Sequence, residues 1–423
     1  MPAHQLLVLL LQLGVLLGLA LALGRLAVRL GTSAVVGELA AGVLLGPTLL
    51  GHAAPVSAWL LPADPGQWHL LDAVGQLGVL LLVGVAGMHI DLGLVRRKRL
   101  TVGWVSAGGL FVPLGFGIGA GLLVPASLLG RSADRTVFAL FLGVALAVSA
   151  IPVIARILLE LRLLHRDIGQ LTVSAAAVND IAGWLLLSVL AGTVVHGLRA
   201  DRVALSVAAL VAVVGFAVLA GRPACRAALS LAGRAGEPGV SLATAVVLVL
   251  LSAAGTQALG LEPILGAFLA GILIGASGRV DPDWENPLRT FVMAVLAPVF
   301  FATAGLRMDL TALVRPVVLL TALGVLVVAV ASKLAGAYLG ARVARLSHWE
   351  GLALGAGLNA RGVIQVVVAT VGLRVGILSV EAYTVIVLVA IVTSSMAAPM
   401  LRYAVRRIAV TGEDRDRERV LTG

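Results

Sequence analysis

The stretch DIGQLTVSAAAVNDIAGWLLLSVLAGTV, residues 167–194, carries a single acid beyond its first residue, Asp180, with Asn179 beside it. As a helix rising 1.5 Å per residue it would be about 40 Å long, enough to cross a hydrocarbon core of about 30 Å. A charge near the centre of such a span costs about 2.5–3.5 kcal/mol on insertion scales. A chain that keeps a carboxylate there needs it, either for function or as a structural acid satisfied by a neighbouring helix.

The surroundings settle the class. The chain of 423 residues is 60% hydrophobic and 12% charged, too little charge to cover a soluble protein of this size. Thirteen apolar segments recur near 5–24, 34–50, 69–88, 101–125, 136–160, 167–194, 203–221, 240–258, 262–277, 290–305, 313–340, 349–371 and 380–403. This predicts an all-α polytopic membrane protein of about 13 transmembrane helices. The formal charge of +10 does not point to nucleic acid, because the arginines lie in the links between segments. Alternate links hold most of them, including RRKR at 96–99, Arg222, Arg226, Arg342 and Arg345, which places those links and the carboxyl terminus in the cytoplasm and the amino terminus outside. The first segment lacks a basic leader and a cleavage site, so it is expected to be helix rather than signal peptide. The lone Cys225 offers neither a disulfide framework nor a metal cluster.

An internal repeat runs through this array. GELAAGVLLG at 37–46 matches GAFLAGILIG at 266–275, and GMHIDL at 87–92 matches GLRMDL at 305–310. The copies are seven segments apart, an odd number, so they face opposite ways across the bilayer. Chance likeness between glycine-rich helices is the competing explanation. Inverted repeats are a signature of secondary transporters, with the site near the midplane.

Several polar groups then stand out. Desolvation penalises the charged form of Asp180, so a proton and a small cation become competing ways of neutralising it. Its oxygens suit a hard metal ion such as a monovalent cation. Asn179 adds an amide oxygen. Lys333, in VAVASKLAGAYLG, is one of only two lysines, the other being Lys98. An ammonium chosen where the chain otherwise uses arginine suggests a compact donor, against the alternative of a side chain reaching out to the interface. Asn359 and Arg361 sit among Gly355, Gly357 and Gly362 in GAGLNARGVIQVV, which predicts an interrupted helix. AVSAIPVIARIL at 147–158 predicts a second interruption, seven segments away: Pro152 removes a donor and Ser149 lies just before it, although a plain proline kink would look the same. Two inverted broken helices would cross, with carbonyls near Ile151 and the side chain of Ser149 beside Asp180, and with Arg361 and Arg156 neutralising helix ends. GFGIGAG at 115–121 lies inside an apolar span and is read as helix packing, not a nucleotide loop. Glu38 and Glu262 stay open as caps or site neighbours. An intramembrane aspartyl protease would need a second mid-segment aspartate, and none is evident.

The run AVSAIPVIARILLELRLLHRDIGQLTVSAAAVNDIAGW, with GELAAGVLLGP, GAFLAGILIG, SKLAG and NARG, resembles the monovalent cation:proton antiporter-2 family, above all its plant cation/H+ exchanger branch. The resemblance covers about 30–403. It implies a sodium/proton antiporter fold with two broken crossing helices, and a transporter domain at 1–403 followed by a short charged tail at 404–423. Within that domain it implies a moving core at about 101–194 and 313–403, a scaffold and dimer face at about 5–88 and 240–305, and a linker helix at about 203–221. It implies that Asp180 binds cation and proton by turns, that Lys333 is the family's lysine, and that the chain is a homodimer in the cell membrane, not an enzyme and without a cofactor. Many electrogenic members have two aspartates where this chain has Asn179 and Asp180, so one-for-one, electroneutral exchange of Na+ or K+ for a proton is expected, with Lys333 lacking its usual acidic partner. Val363 and Gln365 stand where an acid often follows the basic residue. The nucleotide-binding domain of the potassium-efflux members is not expected. Proton-coupled export of an ionophore or another small molecule is the alternative on the same fold.

Overall fold

The computed structural model describes residues 3–48, 65–88, 98–131, 134–150, 153–154, 157–158, 161, 163, 166–196 and 200–409. Ile151, Pro152 and Arg156, and most of GMHIDL, lie outside them. The described helices are α1 (Ala3–Arg29), α2 (Ala34–Leu45), α3 (Pro65–Met88), α4 (Arg99–Leu123), α5 (Arg135–Ala147), α6 (Asp167–His196), α7 (Ala200–Phe216) and α8 (Arg222–Arg234). They continue with α9 (Pro238–Ala258), α10 (Pro263–Gly275), α11 (Pro282–Phe291), α12 (Ala297–Leu306), α13 (Pro316–Val343), α14 (His348–Leu358), α15 (Val363–Arg374) and α16 (Val380–Val405). Every one of the thirteen apolar segments carries helix. Among the described residues nine helical stretches are long and apolar enough to cross a membrane, by length and composition. The described residues fold into helices, which meet most of their backbone hydrogen bonds internally, as hydrocarbon demands.

Local chemistry sets the ends. Pro238, Pro263 and Pro316 open α9, α10 and α13, where a missing N–H costs nothing. Asp134 and Ser379 accept from the first-turn amides of α5 and α16. Ser347 and Glu350 form a reciprocal capping box on α14. The seventh and tenth segments each contain a five-residue π-helical turn, Ala217–Gly221 and Val292–Leu296.

The chain divides into two compact units. The first comprises Met1–Arg25, Gly37–Ile90 and Trp184–Met308, and the second Leu26–Val36, Asp91–Gly183 and Asp309–Gly423, each in its described residues. In the first unit the repeat is visible as paired glycine contacts. A Cβ on Gly42 would land on the backbone of Ala302 and Gly305, and a Cβ on Gly271 on the backbone of Gly84 and Gly87. Gly42 and Gly271 hold the same place in one motif, and Gly305 and Gly87 the same place in the other. The correspondence continues: Gly46 abuts the carbonyl of Leu306 as Gly275 abuts that of Met88, and Gly37 abuts that of Leu23 as Gly266 abuts that of Ser252. Each half of the repeat therefore packs on the other through equivalent small residues. Glu38 and Glu262 are both buried in this unit, and Arg307 pairs there with both carboxylate oxygens of Asp72.

In the second unit α4 and α13 cross at Gly108 and Gly336, where a Cβ on either would meet the other's carbonyl oxygen. Gly117 and Gly121 similarly admit Gly143 and Ala139 of α5. This is the helix-packing role expected for GFGIGAG.

Candidate ion site

Both interruptions are present in the second unit. Helix α5 stops at Ala147; Val148, Ser149 and Ala150 are non-helical, and Val153 and Ile154 are helical. The chain leaves the helix ahead of Pro152. Helix α14 stops at Leu358 and α15 starts at Val363, so Asn359, Ala360, Arg361 and Gly362 form the second break. The two breaks lie against each other: Ser149 Oγ donates to the carbonyl of Leu358 at 3.0 Å, and the amide of Ala150 donates to the carbonyl of Ala360 at 3.2 Å. Gly362 faces Val153 and Ala150, where a Cβ would crowd the valine.

A helix end inside hydrocarbon leaves carbonyls without amide partners, at several kcal/mol each if they go unmet. Ser149 meets this need for Leu358. Lys333 meets it for Ala147, the last residue of α5, with Nζ donating to its carbonyl at 2.5 Å. The same ammonium donates to the carbonyl of Gly109 at 2.8 Å. That carbonyl would ordinarily receive the amide four residues on, but residue 113 is a proline inside α4 and has none. Lys333, fully buried, therefore satisfies one carbonyl orphaned by a helix end and one orphaned by Pro113. This answers the question of its missing acidic partner: two backbone oxygens take the ammonium.

Arg361 is also fully buried. Its Nη2 donates to the carbonyl of Ala329 at 2.9 Å, one turn before Lys333 and within α13. It was expected to neutralise a carbonyl-rich helix end; its partner is instead a mid-helix carbonyl, because the break carries Arg361 towards the flank of α13. Nε and Nη1 make no hydrogen bond among the described residues. Ser394 Oγ of α16 donates to the backbone carbonyl of Arg361, and Gln365 Nε2 donates to the carbonyl of Ile386 at 3.1 Å.

Helix α6 threads past the breaks. Gly183 fits against Val148, where a Cβ would clash. The Asn179 amide nitrogen and the tip of Leu358 each lie close to Gly109, and Ser106 Oγ donates to the carbonyl of Ala175 at 3.3 Å. Asn179 is fully buried and Asp180 nearly so. The charges of Asp180 and Arg361 both act on Lys333. Asn179 and Asn359 each present an amide oxygen and nitrogen with no hydrogen-bond partner among the described residues. The unit thus gathers Asp180, Asn179, Ser149, Asn359, Arg361 and Lys333, and leaves neutral oxygens over in a place where unmet polar atoms are expensive. Sequence reasoning missed Pro113, Gly109, Ala329 and Ser394. Pro113 and the TSS run at 393–395 inside apolar helices were the available signals.

An inverted repeat in one unit and a crossing of two broken helices beside a buried carboxylate in the other define a secondary transporter of the antiporter fold. The chain belongs to the sodium/hydrogen exchanger family, whose transmembrane description matches residues 15–406. It is 30% identical over 407 residues to the Na(+)/H(+) antiporter NhaS4 of Synechocystis, covering 95% of this chain and 98% of that one. It is also 30% identical over 392 residues to the Na(+)/H(+)-K(+) antiporter GerN of Bacillus cereus, covering 90% and 92%. The solved sodium proton antiporter MjNhaP1 of Methanocaldococcus jannaschii superposes with a TM-score of 0.71 at 17% identity, over 95% of this chain and 99% of that one. The chain also matches cation/H(+) antiporters of Arabidopsis thaliana and spans under half of their length, 44% for antiporter 20.

Proposed function

We propose that this protein exchanges a monovalent cation, Na+ or K+, for a proton by alternating access, with Asp180 carrying each in turn. The observation that carries the proposal is the setting of Asp180: a buried carboxylate beside two interrupted helices whose exposed carbonyls are already met by Ser149 and Lys333, with the amide oxygens of Asn179 and Asn359 left over. A hard cation takes carboxylate and carbonyl oxygens. Ser149, together with carbonyls near Ile151, would complete its shell, and Pro152 and Arg156 would support the first break.

The stoichiometry follows from the charges. Asp180 is the acid whose charge acts on Lys333. Binding a proton adds one positive charge there, and so does binding a monovalent cation. The two loaded forms carry equal charge, so a single carboxylate exchanges one for one. The second unit is the moving core in this reading and the first unit the scaffold through which two copies pair, with the seventh segment as linker. The protein would lie in the cell membrane with the amino terminus outside and the carboxyl terminus in the cytoplasm, as its arginine distribution favours.

The test is proton flux in proteoliposomes driven by an Na+ or K+ gradient, read with an internal pH dye while the membrane potential is clamped at different values. The expected rate is independent of potential. A flux that reverses with potential at fixed ion gradients would overturn one-for-one exchange, and a flux that ignores both cations would redirect the search to an organic cargo.

A further inference from the structure

Helices α4 and α13 touch at Gly108 and Gly336 and then diverge. Beyond the crossing they leave an open, almost wholly apolar groove of about 710 Å³, within the usual range of pockets for small molecules, about 300–1,000 Å³. Gly115, Gly119 and Gly324 line it, and a Cβ on any of them would meet nothing within 4 Å. These glycines differ from Gly108, Gly117, Gly121 and Gly336, each of which admits a neighbouring backbone. A mid-helix glycine costs about 0.5–1 kcal/mol against alanine, and here no packing partner offsets it. The exposed rings of Phe111 and Phe116 flank the space.

A cation lies beside one wall of the groove. Val124 lines it, and one Nη of Arg135 donates to the carbonyls of Leu122 and Val124 at 2.8 Å each. That holds the guanidinium next to a lining residue, and its remaining donors suit a phosphate. The exposed Arg131 follows on the same link. An apolar trough with a guanidinium beside its Val124 end is complementary to an amphiphile with a hydrocarbon tail and a phosphate head. We propose that this groove is a specific phospholipid site, with one acyl chain lying over Gly115, Gly119 and Gly324 and the phosphate on Arg135. The site has a functional address. Val328, on its wall, precedes Ala329, the partner of Arg361, and Phe111 lies two residues from Gly109, the partner of Lys333. An occupant therefore sits between the two helices that Lys333 ties together.

The test is photolabelling. The full chain is reconstituted in phosphatidylcholine vesicles containing a phosphatidylglycerol with a diazirine near one acyl terminus, irradiated, and mapped by peptide mass spectrometry. Adducts should concentrate on residues 111–125 and 321–328 and fall to the level of other lipid-facing helices in the Gly119→Leu, Gly324→Leu double variant. That variant fills open space and should elute as the wild type does; the matching alanine pair provides a milder version. Arg135→Gln should lower groove labelling about tenfold, the loss of one charge-assisted hydrogen bond, while labelling elsewhere stays constant. Labelling spread evenly over all the lipid-facing helices, or groove labelling unchanged in the leucine variant, would overturn the site.

Discussion

Lys333 can be tested through the proline that gives it half of its work. Lys333→Met removes donors from the carbonyls of Gly109 and Ala147, each a buried acceptor worth about 1–3 kcal/mol when left unmet. Relief from burying an ammonium offsets part of this. A double-mutant cycle with Pro113→Ala cancels that relief, because it is common to both backgrounds. Alanine at 113 restores an amide four residues after Gly109, so the carbonyl regains a partner inside α4. Lys333→Met should therefore destabilise the Pro113→Ala background less than the wild type, by about 1–3 kcal/mol. The readout is the apparent melting temperature in detergent at one scan rate for all four proteins; about 1 kcal/mol moves the Tm of a 150–250-residue domain by about 2–4 °C. Effects that add within about 0.5 kcal/mol would refute the idea that Lys333 serves the carbonyl orphaned by Pro113.

The other expectations are simpler. Ser149→Ala leaves the buried carbonyl of Leu358 without its donor and should cost about 1–3 kcal/mol in the same melting assay; an unchanged Tm would contradict the contact between the two breaks. Gly42→Ala and Gly271→Ala push equivalent Cβ atoms into equivalent backbones, so both should destabilise, by about 1–3 kcal/mol each, and a large loss at only one would contradict the equivalence of the repeats. Gly119→Ala, with open space above it, should be neutral or stabilising by up to about 1 kcal/mol, measured alongside as the internal contrast.

The sequence was legible where a local rule has one physical outcome. Apolar runs of membrane length marked the helices, the glycines around Asn359 and Arg361 marked a true interruption, and the repeated motifs hold the glycines that meet in matching contacts, Gly42 with Gly305 and Gly271 with Gly87. Partners across helices were harder. That Arg361 meets Ala329 and Lys333 meets Gly109 and Ala147 depends on which helices cross and at what height, and spacing along one helix does not encode that. Pro113 illustrates the gap. In the sequence it is one more helix-tolerated proline, and only the bond from Lys333 to the carbonyl of Gly109 shows that it frees an acceptor. The first break likewise begins at Val148 rather than at the proline: the amide of Ala150 donates to Ala360 on the second break and not back into α5.

The account rests most heavily on Asp180, and one measurement reaches it directly. Wild type, Asp180→Asn and Asp180→Glu are reconstituted at equal density, and proton movement driven by an Na+ or K+ gradient is followed at clamped potential. The amide keeps the size of the side chain and removes both its charge and its proton site, so Asp180→Asn should fall to the level of protein-free vesicles while Asp180→Glu retains measurable exchange. Cation-driven proton flux in Asp180→Asn at the wild-type rate would contradict the account.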